Sequence, residues 1–91
     1  MEDFEYNKNG NIYKCWDLDA ILNSNLITDK IKDVCKDKFN KQCYFKYNNN
    51  TKVGKLIGIE INTKLNDISY ILEGLNTKYY IICTDTILKR L

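Results

Sequence analysis

Along "QCYFKY", "KVGKLIGIEI", "ISYILE" and "KYYIICT" apolar side chains recur at every second position. The runs are separated by "NNNT", "NTKLND" and "GLNT". A period of two with breaks rich in Asn, Asp and Gly predicts antiparallel strands joined by short turns. In the first run Cys43, Phe45 and Tyr47 share a side. In the second, Val53, Ile57, Ile59 and Ile61 form one row, with Lys55 as the exception, and Gly54 and Gly58 fall opposite. Glycine inside a strand marks a bulge, a bend or close approach of another backbone. In the last run Tyr79, Ile81 and Cys83 share a face, so Tyr80 points the other way. The closing "DTILKRL" predicts one helical turn capped by Asp85.

Between Asp17 and Phe39 the period lengthens. Asp17 or Asp19 can cap a short helix holding Ala20, Ile21 and Leu22, which Ser24-Asn25 ends. Thr28 or Asn25 can cap a second helix running to about Phe39. On it Ile27, Ile31, Val34, Cys35 and Phe39 make one apolar stripe, while Asp and Lys alternate elsewhere as a solvated face. Upstream, Phe4 to Tyr6 and Ile12 to Trp16 read as a hairpin closed by Asn9-Gly10, or else as a loose arm. Trp16 is expected to plug the space between hairpin and helix.

These elements amount to a single α+β domain over the 91 residues. Residues 1–16 form the hairpin or arm, 17–40 the helical part and 42–91 an antiparallel β meander. One principal helix packs on an antiparallel sheet, and a barrel-like closure of that sheet fits the same pattern. A core of this size leaves stability marginal without a partner.

Composition narrows the function. Apolar residues make up 44% and charged residues 29%, a globular balance. No apolar run approaches the roughly 18 residues of a membrane span. The start "MEDFEYNKNGN" lacks a signal-peptide pattern, so a cytoplasmic location is expected, the host cytoplasm if phage-encoded. Abundant Lys, Asn and Ile, with 1 Ala and no Pro, reflect AT-rich coding. Asn48 to Asn50 accordingly reads as a polar turn written in such codons.

There is no histidine, which removes Ser-His, Cys-His and His-metal chemistry. No phosphate-binding or dinucleotide glycine motif occurs, and "VGKLIG" lies inside a strand pattern. Asp17/Asp19 and Asp33/Asp37 read as a helix cap and as surface. No catalytic residue, metal ligand or cofactor is assigned, and the chain is expected not to be an enzyme. Cys15, Cys35, Cys43 and Cys83 lack paired spacing and are expected to be mostly buried thiols, with two disulfides or an all-Cys zinc site as alternatives.

The glycine-bent strand "VGKLIGIEI", followed by "ISYILEG", "KYYIICT" and "DTIL", resembles the small β-barrels of the Tudor and KOW type. The resemblance covers residues 42–91. It implies a module that binds proteins, RNA or DNA, without fixing which.

Residues 1–45 hold 8 acids and 7 bases, and residues 46–91 hold 4 acids and 7 bases. The second half is therefore mildly basic, but 1 Arg is a poor kit for reading guanine. Tyr44 and Tyr80, beside Lys46, Lys55 and Lys78, are the candidate partner-binding residues. If exposed, the tyrosines stack on a base or anchor a protein contact. If both sheet faces are covered, they are core. The expected function is non-enzymatic binding of a larger protein. In character the chain is similar to small phage or mobile-element accessory proteins, anti-CRISPR inhibitors of host defence among them, which act by steric blocking. The alternatives are a nucleic-acid-binding small barrel and a self-associating module that forms a homo-oligomer.

Overall fold

A computed structural model describes residues 4–8, 11–62, 67–75 and 78–91; the side chains of residues 4–14 and of 62 lie outside that description. The element order is β1 (Phe4–Lys8), β2 (Asn11–Trp16), α1 (Leu18–Leu22), α2 (Asp29–Lys38), β3 (Gln42–Tyr47), β4 (Asn50–Asn62), β5 (Asp67–Glu73), β6 (Tyr79–Cys83) and β7 (Lys89–Arg90). It is a mostly antiparallel α+β arrangement, with α2 the principal helix.

Both helices begin as their capping residues dictate. The Asp17 carboxylate accepts from the Ala20 N–H at 2.9 Å, and the Thr28 hydroxyl accepts from the Ile31 N–H at 3.4 Å. Helix α2 ends at Phe39, and Asn40 follows in the left-handed region at φ 62°. Asparagine tolerates that conformation better than most residues, so it closes the helix. Ile27, Ile31 and Cys35 of the apolar stripe are buried, and Val34 and Phe39 pack against the same core.

The sheet is organised by the 13-residue β4. One of its edges pairs along Lys55 to Asn62 with β5, which in turn pairs with β6. The other edge is shared. β3 takes Asn50 to Lys55, and β2 takes Ile59 to Ile61. Between them the exit loop of α2 bonds to Leu56: Asn40 N–H donates to the Leu56 carbonyl at 2.7 Å, and Leu56 N–H donates to the Lys41 carbonyl at 3.3 Å. The backbone groups of β4 are thus satisfied by three successive partners on one side. β1 extends β2, and β7 extends β3. The curled sheet brings Tyr80 of β6 against Phe45 and Tyr47 of β3, with ring centroids 5.5 and 5.1 Å apart in edge-on geometry. Among the described residues no pairing closes the sheet into a barrel.

Ile57 is an extra residue in β4: Leu56 opposes Leu72 but Gly58 opposes Ile71. A one-residue bulge reverses which side chains face inward. Before it the even positions Gly54 and Leu56 are inside; after it Ile59 and Ile61 are. The single row expected from Val53 through Ile61 is therefore broken. Val53 and Lys55 lie outside with Tyr44, and only Ile59 and Ile61 reach the core. The core between helices and sheet holds Ile21, Leu56, Ile59 and Leu72 with essentially no exposure. Each contributes roughly 1.5–3 kcal/mol by burial.

Two turns also differ in their reason from the expectation. Asn48 and Asn49 have φ 51° and 66°, and the hairpin closes as Tyr47 opposite Asn50. Two left-handed residues are what a two-residue hairpin turn requires, so these asparagines have a conformational role beyond codon bias. "DTILKRL" is not a helical turn. Thr86 N–H donates to the Cys83 carbonyl at 3.0 Å, and the chain then returns as β7 beside β3. The Asn9-Gly10 turn lies outside the described residues.

The bulge depends on Gly58. A Cβ there would meet the Trp16 carbonyl oxygen at 2.9 Å and the Cys15 Sγ at 2.8 Å. The carbonyl belongs to the paired strand and cannot retreat without opening the β2–β4 ladder. Gly58→Ala is expected to cost about 1–3 kcal/mol in chemical denaturation. Gly54→Ala, whose nearest contact is the Leu72 Cβ at 3.1 Å, should cost less. Equal losses would show that β2 yields freely at this point.

Candidate interaction surface

In antiparallel pairs, residues directly opposite share a face. Three outer rows follow from the register. Gln42, Lys55, Glu73 and Tyr79 form one across β3, β4, β5 and β6. Lys89, Tyr44 and Val53 form the second, and Lys46 with Thr51 the third. Leu91 extends the first row, since its N–H donates to the Gln42 carbonyl at 3.1 Å. Ile87 stands beside the third, where it lines a cleft of about 440 Å³ with Tyr44, Phe45, Lys46, Thr51 and Lys89.

Seven large hydrophobic residues are exposed among those described, and five of them (Tyr44, Val53, Tyr79, Ile87 and Leu91) belong to this face. Val53 is 43% exposed and Tyr79 54%. Lys46, Lys55 and Lys89 surround them, with Glu73 as the one acid in the rows. Contiguous exposed apolar surface rimmed by charge marks interaction sites. The same outer face is covered further along, where Cys15, Glu60 and Ile71 are buried.

The predicted set is thus split. Tyr44, Lys46 and Lys55 lie together. Tyr80 does not join them: it is 8% exposed, on the inner face, and the Lys78 Nζ sits 5.4 Å from its ring centroid at the rim. The alternation of Tyr79 and Tyr80 is as expected, but Tyr79 is the outward one. Gly74 makes room for the Tyr80 ring, for a Cβ there would lie 2.7 Å from Cε2. Tyr79, Val53, Ile87 and Lys89 were missed. The signal for Val53 was Lys55, a charge in a supposed core row. Ile87 and Lys89 gave none, because their segment read as helix.

Chemically reactive groups lie elsewhere. Burial pushes the Cys35 thiol up to about 12, which leaves it a poor nucleophile. The Cys43 thiol is also raised by burial, and it donates to the Lys41 carbonyl at 3.4 Å. Cys15 is buried and Cys83 exposed. Asp37, ion-paired to Lys38 at 2.8 Å and to Arg90 at 3.5 Å, is ordinary surface. Its carboxyl is held below the usual range by the Lys38 hydrogen bond first. Among the described residues no group of three or more Cys, Asp or Glu could hold a metal ion. Among the described residues no helix is long and apolar enough to cross a membrane.

Glu60 is the unusual titratable residue. It is 4% exposed, lies in register between Cys15 and Ser69, and its Oε2 is buried without a hydrogen bond. Burial raises it from 4.5 to about 7.

Compared with known proteins, the chain matches no family model, no curated protein and no solved structure.

Two outcomes are expected. Tyr80→Ala empties a core position and should cost about 3–5 kcal/mol, whereas Tyr44→Ala should stay within about 1 kcal/mol in the same denaturant series. For Glu60 the folded pKa lies above the unfolded one, so the folded state holds the proton longer. Glu60's contribution to stability should be most favourable below about pH 4.5 and fall as pH rises toward about 7, by on the order of 3 kcal/mol, then level off. Glu60→Gln should remove that slope from the pH profile of the denaturation midpoint. A slope unchanged in the variant would assign it to other groups.

Proposed function

We propose that the protein is a non-enzymatic binding module that docks a larger protein on the outer face of β3, β4 and β6. The observation that carries this is the concentration of exposed apolar side chains on one face. Tyr44, Val53 and Tyr79 are held there by strand register rather than by loops. An aromatic and aliphatic centre with a charged rim is the composition of protein-binding hot spots. Lysines outnumber acids in the rows, which suits a target surface carrying carboxylates. The action is steric: the module covers a working surface of its target, and binding adds stability that a small core lacks. AT-rich coding and small size support a phage or mobile-element inhibitor of a host defence protein, of the anti-CRISPR kind, as the setting.

A nucleic-acid reading rests on Tyr44 between Lys46 and Lys89, a ring that can stack on a base with cations beside it. Its weight is less, because the face is more apolar than basic.

The test is affinity capture from a low-GC bacterial lysate, with and without nuclease, using wild type and Val53→Ser/Tyr79→Ser. The double variant should fold like wild type and lose a nuclease-resistant protein at least tenfold in yield. Leu26→Ser, which alters an exposed residue off the face, should retain it. Full retention by the double variant would place the contact elsewhere. Enrichment that vanishes with nuclease or added salt would favour nucleic acid, since phosphate contacts release counterions.

A further inference from the structure

We infer that the free edge of β3 at Lys46 accepts an extended, acidic segment of the partner as an added strand. This rests on the protein-docking reading above and specifies one part of it.

The backbone sets the position. Leu91 N–H donates to the Gln42 carbonyl, so the polar groups of Gln42 face β7. Along a strand these groups alternate sides, so those of Tyr44 and Lys46 face the same way. β7 pairs with Cys43 and Tyr44 and goes no further. Leu88, which would come next, is buried in the core, and Ile87 stands 72% exposed. The pairing stops where β7 begins, at Lys89. No backbone hydrogen bond among the described residues reaches Lys46 from that side. An edge strand with open donors and acceptors is a template for another chain.

The side chains set the occupant. Beside this edge lies the cleft of about 440 Å³. Tyr44, Phe45 and Ile87 give it apolar walls. Among the described residues that line it, Lys46 and Lys89 are the charged ones and none is an acid. An extended segment that alternates apolar and acidic residues meets all three features. Its backbone pairs with Lys46, its apolar side chains fill the cleft, and its carboxylates reach Lys46 and Lys89.

The probe is a capped six-residue peptide of alternating valine and glutamate, titrated into the full chain and followed by amide NMR. Saturable shifts are expected at Lys46, Tyr44 and Ile87, with slowed hydrogen exchange at the Lys46 N–H. The same peptide with lysine in place of glutamate should bind at least tenfold more weakly. Lys46→Glu/Lys89→Glu should reverse that preference. Lys46→Pro removes the edge donor while leaving the β3–β4 side of the strand intact, and should abolish binding where Lys46→Ala only weakens it. The inference is overturned by shifts confined to the β6 edge, by no saturation at Lys46, or by equal binding of both peptides. It is likewise overturned if the same shifts follow protein concentration without peptide, since a second copy then occupies the edge. Failure of the peptide with capture still lost in Val53→Ser/Tyr79→Ser removes this inference alone. Peptide binding with capture retained in that variant removes the docking face instead.

Discussion

The structure depends on one bulged strand. β4 pairs with β5 along one edge, and with β3, the α2 exit loop and β2 along the other. The extra residue Ile57 lets a single strand turn different parities toward the core at its two ends. Without it, either Leu56 or the pair Ile59 and Ile61 would face outward, and the core would lose its centre. Gly58 is the condition for this geometry, because the β2 backbone passes where a side chain would stand.

The bulge also divides the outer face. Beyond it, Glu60 is enclosed beside Cys15 and Ser69, and desolvation resists its charge. Before it, Val53 and Lys55 are turned out beside Tyr44 and Glu73. One strand thus carries a closed half, where a carboxylate costs stability near neutral pH, and an open half that leaves apolar groups exposed. The inner face needs no such compromise. Helix α2 and the Tyr80 ring, packed against Phe45 and Tyr47, fill it from opposite sides.

Element existence was legible in the chain, and face assignment was not. Capping by Asp17 and Thr28, the stripe from Ile27 to Phe39, and the strands from Gln42 to Cys83 follow from local period and side-chain chemistry. Those signals act within a few residues. Which side of a strand is inside depends on register, and one inserted residue inverts it. Lys55 among apolar neighbours, between Gly54 and Gly58, was the trace of that insertion. Tyr80 was misjudged for the same reason: alternation separates it from Tyr79 but does not say which is buried. The C-terminal segment was read as helix because Asp85 resembles a cap, whereas its fate is set by long-range pairing with β3. Of this exposed face, the sequence therefore grouped Tyr44, Lys46 and Lys55, and it did not group Val53, Tyr79, Ile87 and Lys89 with them.

The short last strand covers part of an open sheet edge. A long open edge beside an apolar face invites uncontrolled pairing. β7 blunts part of that edge with a Lys-Arg pair, and Arg90 is tethered to Asp37 on α2. β7 starts at Lys89, so the pairing covers β3 only as far as Tyr44. What remains open is one strand step wide, flanked by Lys46 and Lys89. Their charges repel a second basic edge and attract an acidic one. The opening is too short for indiscriminate sheet growth.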